Sequence, residues 1–177
     1  MTDKTSTLES ASNDLLHPDV ADALGRYGIN YTVVACDPAL ADTADFCAHY
    51  NFNLEISANT LLVGSTKGEP TFAACVLLAH CRLDVNKVVR KRLGVRRLSF
   101  ATPEDTRSIT GMELGGVTPM ALPESLPLWV DSRVMDCEQI ILGGGNRQSK
   151  LVINPQEFNK IPTAEFVEGL ANPIASA

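Results

Sequence analysis

No apolar run in this chain reaches the ~18 residues needed to cross a bilayer as a helix, so a membrane-spanning class is not expected. The first stretch, Met1 to Asp14, is polar and lacks the apolar core of a secretory signal. Cysteine is present but unpaired in pattern. Cys36, Cys47, Cys75, Cys81 and Cys137 are odd in number, and no two are spaced C-x-x-C. That argues against a disulfide framework or a zinc site and makes a reducing cytoplasm the natural compartment. His17, His49 and His80 lack metal-ligand spacing, so no metal site is expected. The G-x-x-x-x-G-K-[ST] phosphate loop, the G-x-G-x-x-G fingerprint and the G-x-S-x-G elbow are all missing. Gly143-Gly144-Gly145 lies between two apolar strand-like runs rather than between a strand and a helix.

What is present suits one globular domain. The 177 residues are 45% hydrophobic and 20% charged, enough for a sizeable core. Residues 1–13 read as a disordered tail, 14–170 as the domain and 171–177 as a second tail. Asp14 to Tyr27 has helical apolar spacing and ends at Gly28. Thr60 to Gly64 and Thr71 to His80 flank a polar turn and read as a core hairpin. Thr102-Pro103 opens a helix as cap and first residue. Leu126 to Asp131 reads as a strand whose Pro127 marks a start or an edge. Short strands and helices without regular alternation predict an α+β fold: a single domain with a mixed, mostly antiparallel twisted sheet and helices packed around it.

Charge is unevenly spread. The chain is −6 overall, yet Arg82 to Arg97 holds seven cations against Asp84 alone. Asp84 reads as a helix cap, Val85, Val88, Val89 and Leu93 as the apolar stripe, and Gly94 as the stop. Lys87, Arg90, Lys91 and Arg92 then share the outer arc and form a candidate contact for a polyanion. A solvated helix face fits the same pattern.

Thr110 to Pro119, T-G-M-E-L-G-G-V-T-P, has three glycines and a proline in ten residues. Such a loop presents bare backbone N–H and C=O groups. An ordinary connection has the same composition. With Gly143-Gly144-Gly145-Asn146-Arg147, Leu61-Leu62-Val63, Arg82 to Lys87 and Ala101-Thr102-Pro103-Glu104, it carries a resemblance. From about Asp14 to Phe158 the chain resembles the YbaK/prolyl-tRNA synthetase-associated editing domain family. The first stretch looks like that family's T-G-x-x-x-G-G-[VI]-[ST]-P.

The resemblance implies hydrolysis of the ester between a mischarged amino acid and the 3′-terminal adenosine of tRNA, acting in trans, with no cofactor. It implies that Gly115, Gly116, Val117, Thr118 and Pro119 hold the adenosine end and that Gly144 and Gly145 close the pocket. The implied partner is the acceptor end of aminoacyl-tRNA, touched by Lys87, Arg90, Lys91 and Arg92. An aminoacyl-tRNA synthetase and a second copy, paired through an edge near Leu126–Val130, are further expected partners.

This sequence departs from the family at one position. Relatives usually carry a functionally important lysine immediately before the strand that here reads Thr60-Leu61-Leu62-Val63, where this chain has Asn59. Lys150 stands where many relatives carry an acid. Lys150 could supply the cation from the opposite wall, with Asn59 orienting the substrate. In the opposing reading Lys150 points to solvent and the site lacks a cation. A separate alternative for the whole chain is a catalytically weak or inactive binding module of the same fold, because Asn59 replaces the expected lysine.

Overall fold

Capping chemistry sets where the first helices begin and end. The structure, a computed structural model, describes residues 10–175. Helix α1 (Pro18–Tyr27) starts on Pro18, with the His17 side chain accepting from the Asp19 N–H, and stops at Gly28 with φ +65°. The helix expected from Asp14 is therefore shorter. Proline has no N–H to donate and holds the preceding residue extended, so Asn13–Leu15 forms a separate 3-10 turn.

Strand β1 (Thr32–Ala35) and helix α2 (Thr43–Tyr50) follow, α2 ending on Asn51 in the left-handed region. The expected hairpin is β2 (Ala58–Ser65) against β3 (Phe72–Leu78), antiparallel. Strand β4 (Cys81–Leu83) leads into the basic segment. That segment is not one regular helix. Val85–Val89 is a wide π turn capped by Asp84, continued by the short helix α3 (Arg90–Leu93) and closed by Gly94. Strand β5 (Leu98–Phe100) and helix α4 (Pro103–Thr110) come next, α4 capped by Thr102 as expected. The chain then forms β6 (Leu128–Asp131), α5 (Ser132–Met135), β7 (Ile140–Gly143), β8 (Ser149–Ile153), β9 (Ala164–Val167) and β10 (Ala171–Pro173).

The strands make a five-stranded sheet, β5-β2-β3-β6-β9, a three-stranded sheet, β1-β8-β7, and a β4-β10 pair. Among the described residues only the β3–β6 and β6–β9 strand pairs are parallel, so the fold is α+β with mostly antiparallel pairing. Strand β6 is interior and wholly buried. The edge expected near Leu126–Val130 does not exist there. Pro127 stands just before the strand, where its missing N–H costs no ladder bond, and its carbonyl accepts from Ala74.

A parallel bridge between Ser57 and Ile141 joins the two larger sheets at the start of β2. Further along, β2 pairs with β5 only from Val63 onward. Between these points the β2 edge is open. The Leu62 carbonyl takes the Ala101 N–H, so by the strand's two-residue period the Thr60 peptide groups face the same gap.

Both ends of the domain are anchored. The Ala11 N–H donates to the Val33 carbonyl, and β10 pairs with β4. The remainder of the two expected tails, residues 1–9 and 176–177, lies outside the described residues.

Candidate functional site

The gap beside β2 is a cavity of about 280 Å³. Its walls come from β2 (Asn59 to Leu62), the start of α2 (Asp42, Thr43, Phe46), the loop at Leu114, Gly115 and Val117, and β7 with Lys150 of β8. Lys150 and Asn59, far apart in sequence, thus face one space. Lys150 does not point to solvent; it is 6% exposed. Strand alternation puts it on the α2 face of its sheet, the face that also carries Val152. Its ammonium donates to the Ala41 carbonyl at 2.6 Å and the Gly115 carbonyl at 3.0 Å, and lies 5.5 Å from the centre of the Phe46 ring. An ammonium has three donors, which leaves one for a ligand. Burial pushes the Lys150 pKa below the usual lysine value, with Cys36 and Asp42 opposing that shift and Arg147 adding to it.

Asn59 is oriented by its neighbour. Its side-chain oxygen accepts from the Thr43 hydroxyl at 2.6 Å. The amide group is thereby fixed as the free donor end.

Residues 110–119 form a braced loop. Gly115 has φ +85°, a conformation that favours glycine. The Gly116 N–H donates to the Glu113 carbonyl, and the Gly116 carbonyl takes the Gly145 N–H at 2.7 Å. A Cβ on Gly116 would collide with the Asn146 carbonyl, and one on Gly143 would collide with the Gly116 carbonyl. The two glycine stretches therefore lock backbone to backbone. The Gly115 and Val117 N–H groups have no hydrogen-bond partner among the described residues, and both residues line the cavity.

Not all the expected site residues reach this space. Gly116, Thr118 and Pro119 lie behind the wall, with Thr118 and Pro119 buried. Gly144 and Gly145 are not in the lining; Gly143 is. A Cβ on Gly144 would meet Ser149, and one on Gly145 would meet His17 and Val20. These two glycines let the loop lie against Ser149 and the start of α1.

Of the four expected tRNA-contacting cations, all exposed, Lys87, Arg90 and Lys91 extend from the turn and α3. Arg92 does not share their arc. It bonds Glu165 at 2.8 Å and stacks over Trp129, 5.1 Å from the ring centre. The wide turn shifts the angular positions that a regular helix would have given.

Several site residues had no role assigned to them from sequence. Arg147 ties the loop to the start of α2, donating to the carbonyls of Pro38 and Leu114 and to Asp42. Thr43 and Phe46 share one α2 face by their i, i+3 spacing, which is the signal that could have grouped them. No cysteine lines this cavity. Burial raises the thiol pKa of Cys36, Cys81 and Cys137, and pushes that of Cys75 up to about 12. Among the described residues no cluster of His, Cys, Asp or Glu could hold a metal ion.

This arrangement, a buried cation and an oriented amide across a small cavity beside a braced glycine loop, suits binding a polar ester or amide group. The family model described as "Aminoacyl-tRNA editing domain" matches residues 37–161. The chain belongs to that family, which ties it to tRNA editing. Solved structures share the fold. One was reported as a candidate trans-editing enzyme for prolyl-tRNA synthetase; it has a TM-score of 0.73 and 22% identity, covering 90% of this chain and 98% of that one. A hypothetical protein matches with a TM-score of 0.76 and 21% identity over 87% of this chain and 99% of its own. A candidate signal transduction protein from Marinobacter aquaeolei VT8 matches with a TM-score of 0.59 and 22% identity. The match covers 88% of this chain but only 31% of that longer one.

Proposed function

We propose that this chain is an aminoacyl-tRNA deacylase acting in trans on the 3′-terminal adenosine of mischarged tRNA. The observation that carries the reading is Lys150: a buried ammonium held by two carbonyls, with one donor left, in the same cavity as Asn59. The amino acid enters the cavity and its ester carbonyl lies near Lys150 and the free N–H groups of Gly115 and Val117. A water oxygen bonds to the carbonyl carbon, the carbon–ribose oxygen bond breaks, and the ribose oxygen takes a proton. The products are free amino acid and tRNA. The ester is already activated, so positioning and charge stabilisation of the oxyanion carry most of the rate. Lys150 and the N–H pair supply that stabilisation, and the Asn59 amide orients the substrate. Gly116, Thr118 and Pro119 shape the adenosine-holding loop from behind, and Gly144 and Gly145 fix its brace. Lys87, Arg90 and Lys91 meet acceptor-stem phosphates. Five free cysteines suit a reducing cytoplasm, and a synthetase that makes the mischarged tRNA is a natural associate.

The replacement of the family's expected lysine by Asn59 favours a second reading, a binding module for aminoacyl-adenosine without turnover. Incubating the purified protein with a panel of mischarged tRNAs and following amino acid release separates the two. Release from at least one tRNA supports the deacylase; binding without release from any supports the module.

A further inference from the structure

The cavity opens beside Phe100, a large aromatic that is 55% exposed at the end of β5. Phe100 also lines a second concavity, an open groove between β5 and the β4-β10 pair. That groove has apolar surface from Leu98, Pro173 and Ile174, and polar edges from Arg82 and Asn86. Ile174 is itself 54% exposed. Lys87, Arg90 and Lys91 lie beyond the groove on the adjoining turn and helix, where they line a separate concavity. The groove also holds the Asp84 carboxylate, one oxygen of which caps the turn by accepting from the Lys87 N–H at 3.1 Å. An exposed aromatic face beside an arginine is an arrangement that binds single-stranded nucleic acid: bases stack on the ring and phosphates meet the cation. Neither an acidic peptide nor a duplex accounts for both features, since the first does not need the flat face and the second hides its bases.

We infer that this groove takes the single-stranded nucleotides leading to the terminal adenosine, with a base stacked on Phe100 and Arg82 against the backbone. The inference rests on the reading that the cavity holds an aminoacyl-adenosine end. It makes Phe100 a positioning residue. The ring holds the strand so that the ester enters the cavity, and it takes no part in bond breaking.

The test compares wild type, Phe100→Ala and Phe100→Trp for binding to a short single-stranded RNA ending in CCA. A fluorescent cytosine analogue is placed before the terminal adenosine. Stacking quenches its emission, so binding and stacking are read without turnover. Wild type and Phe100→Trp should quench the probe, and Phe100→Ala should bind roughly tenfold more weakly with the quench lost. With a mischarged tRNA, Phe100→Ala should raise KM by a similar factor and leave kcat within about twofold. Equal binding and quench in wild type and Phe100→Ala, or no binding of this RNA by wild type, overturns the inference. The deacylase reading fails separately, if wild type releases amino acid from none of the mischarged tRNAs while the binding result stands. Phe100 is exposed, so its replacement leaves the core packing intact, and circular dichroism checks this.

Discussion

Asn59 and Lys150 pose the residue-scale question of where the site's cation sits. In this chain the ammonium comes from β8, and the neutral amide sits on β2. Placing a second lysine at 59 would put two like charges in one small cavity, which raises the energy of each. Asn59→Lys alone and Lys150→Met alone should therefore both lower deacylation, and the double variant should recover part of the rate of the better single one. Steady-state kinetics on one mischarged tRNA checks this. The pH response follows from burial. The Lys150 pKa lies below the ordinary 10.5, so the ammonium-dependent rate should fall as pH rises through that lowered value. After subtraction of spontaneous ester hydrolysis, Lys150→Met should show no such limb. The linked effect on stability has the opposite sense. Between the lowered value and 10.5 the unfolded chain binds this proton and the folded chain does not, so this group's contribution to stability rises with pH across that window.

At the scale of elements, the two glycine stretches act as one part. Gly116→Ala forces a Cβ onto the Asn146 carbonyl, a backbone atom that cannot rotate away. The expected cost is about 1–3 kcal/mol, read by chemical denaturation, together with loss of the loop's geometry. Residues 110–119 were legible as a shaped loop, because glycine and proline constrain the backbone locally. The resemblance paired that loop with Gly143–Arg147, but how Arg147 and Gly145 brace it was not legible, since they reach it only through tertiary structure. The basic segment divides in the same way. Its cap at Asp84 and stop at Gly94 are local and were readable; the wide turn at Val85–Val89 and the Arg92–Glu165 pair have no local signal in the sequence. Removing Lys87 or Lys91 should lower the slope of log tRNA affinity against log salt by about 0.9 each. Arg92→Ala should leave that slope unchanged and loosen the β9 side of the sheet instead. Binding titrations across a salt series separate these outcomes.

At the scale of the whole molecule, local patterns in the sequence accounted for the β2-β3 hairpin, the α4 cap and the α+β class. The interior position of β6 was not readable. A proline before a strand looks the same whether the strand is central or at an edge, and only the parallel partners β3 and β9 decide between them. The cavity is likewise a tertiary product. It forms where β2 leaves β7 before meeting β5, and so brings residues 59, 115 and 150 to one space. That convergence is the central claim, and single-turnover deacylation tests it most directly. Wild type and Lys150→Met are mixed in excess over a mischarged tRNA that wild type hydrolyses, and amino acid release is timed. The account predicts a fall of roughly 100-fold for Lys150→Met with the fold intact; equal rates for the two proteins would contradict it.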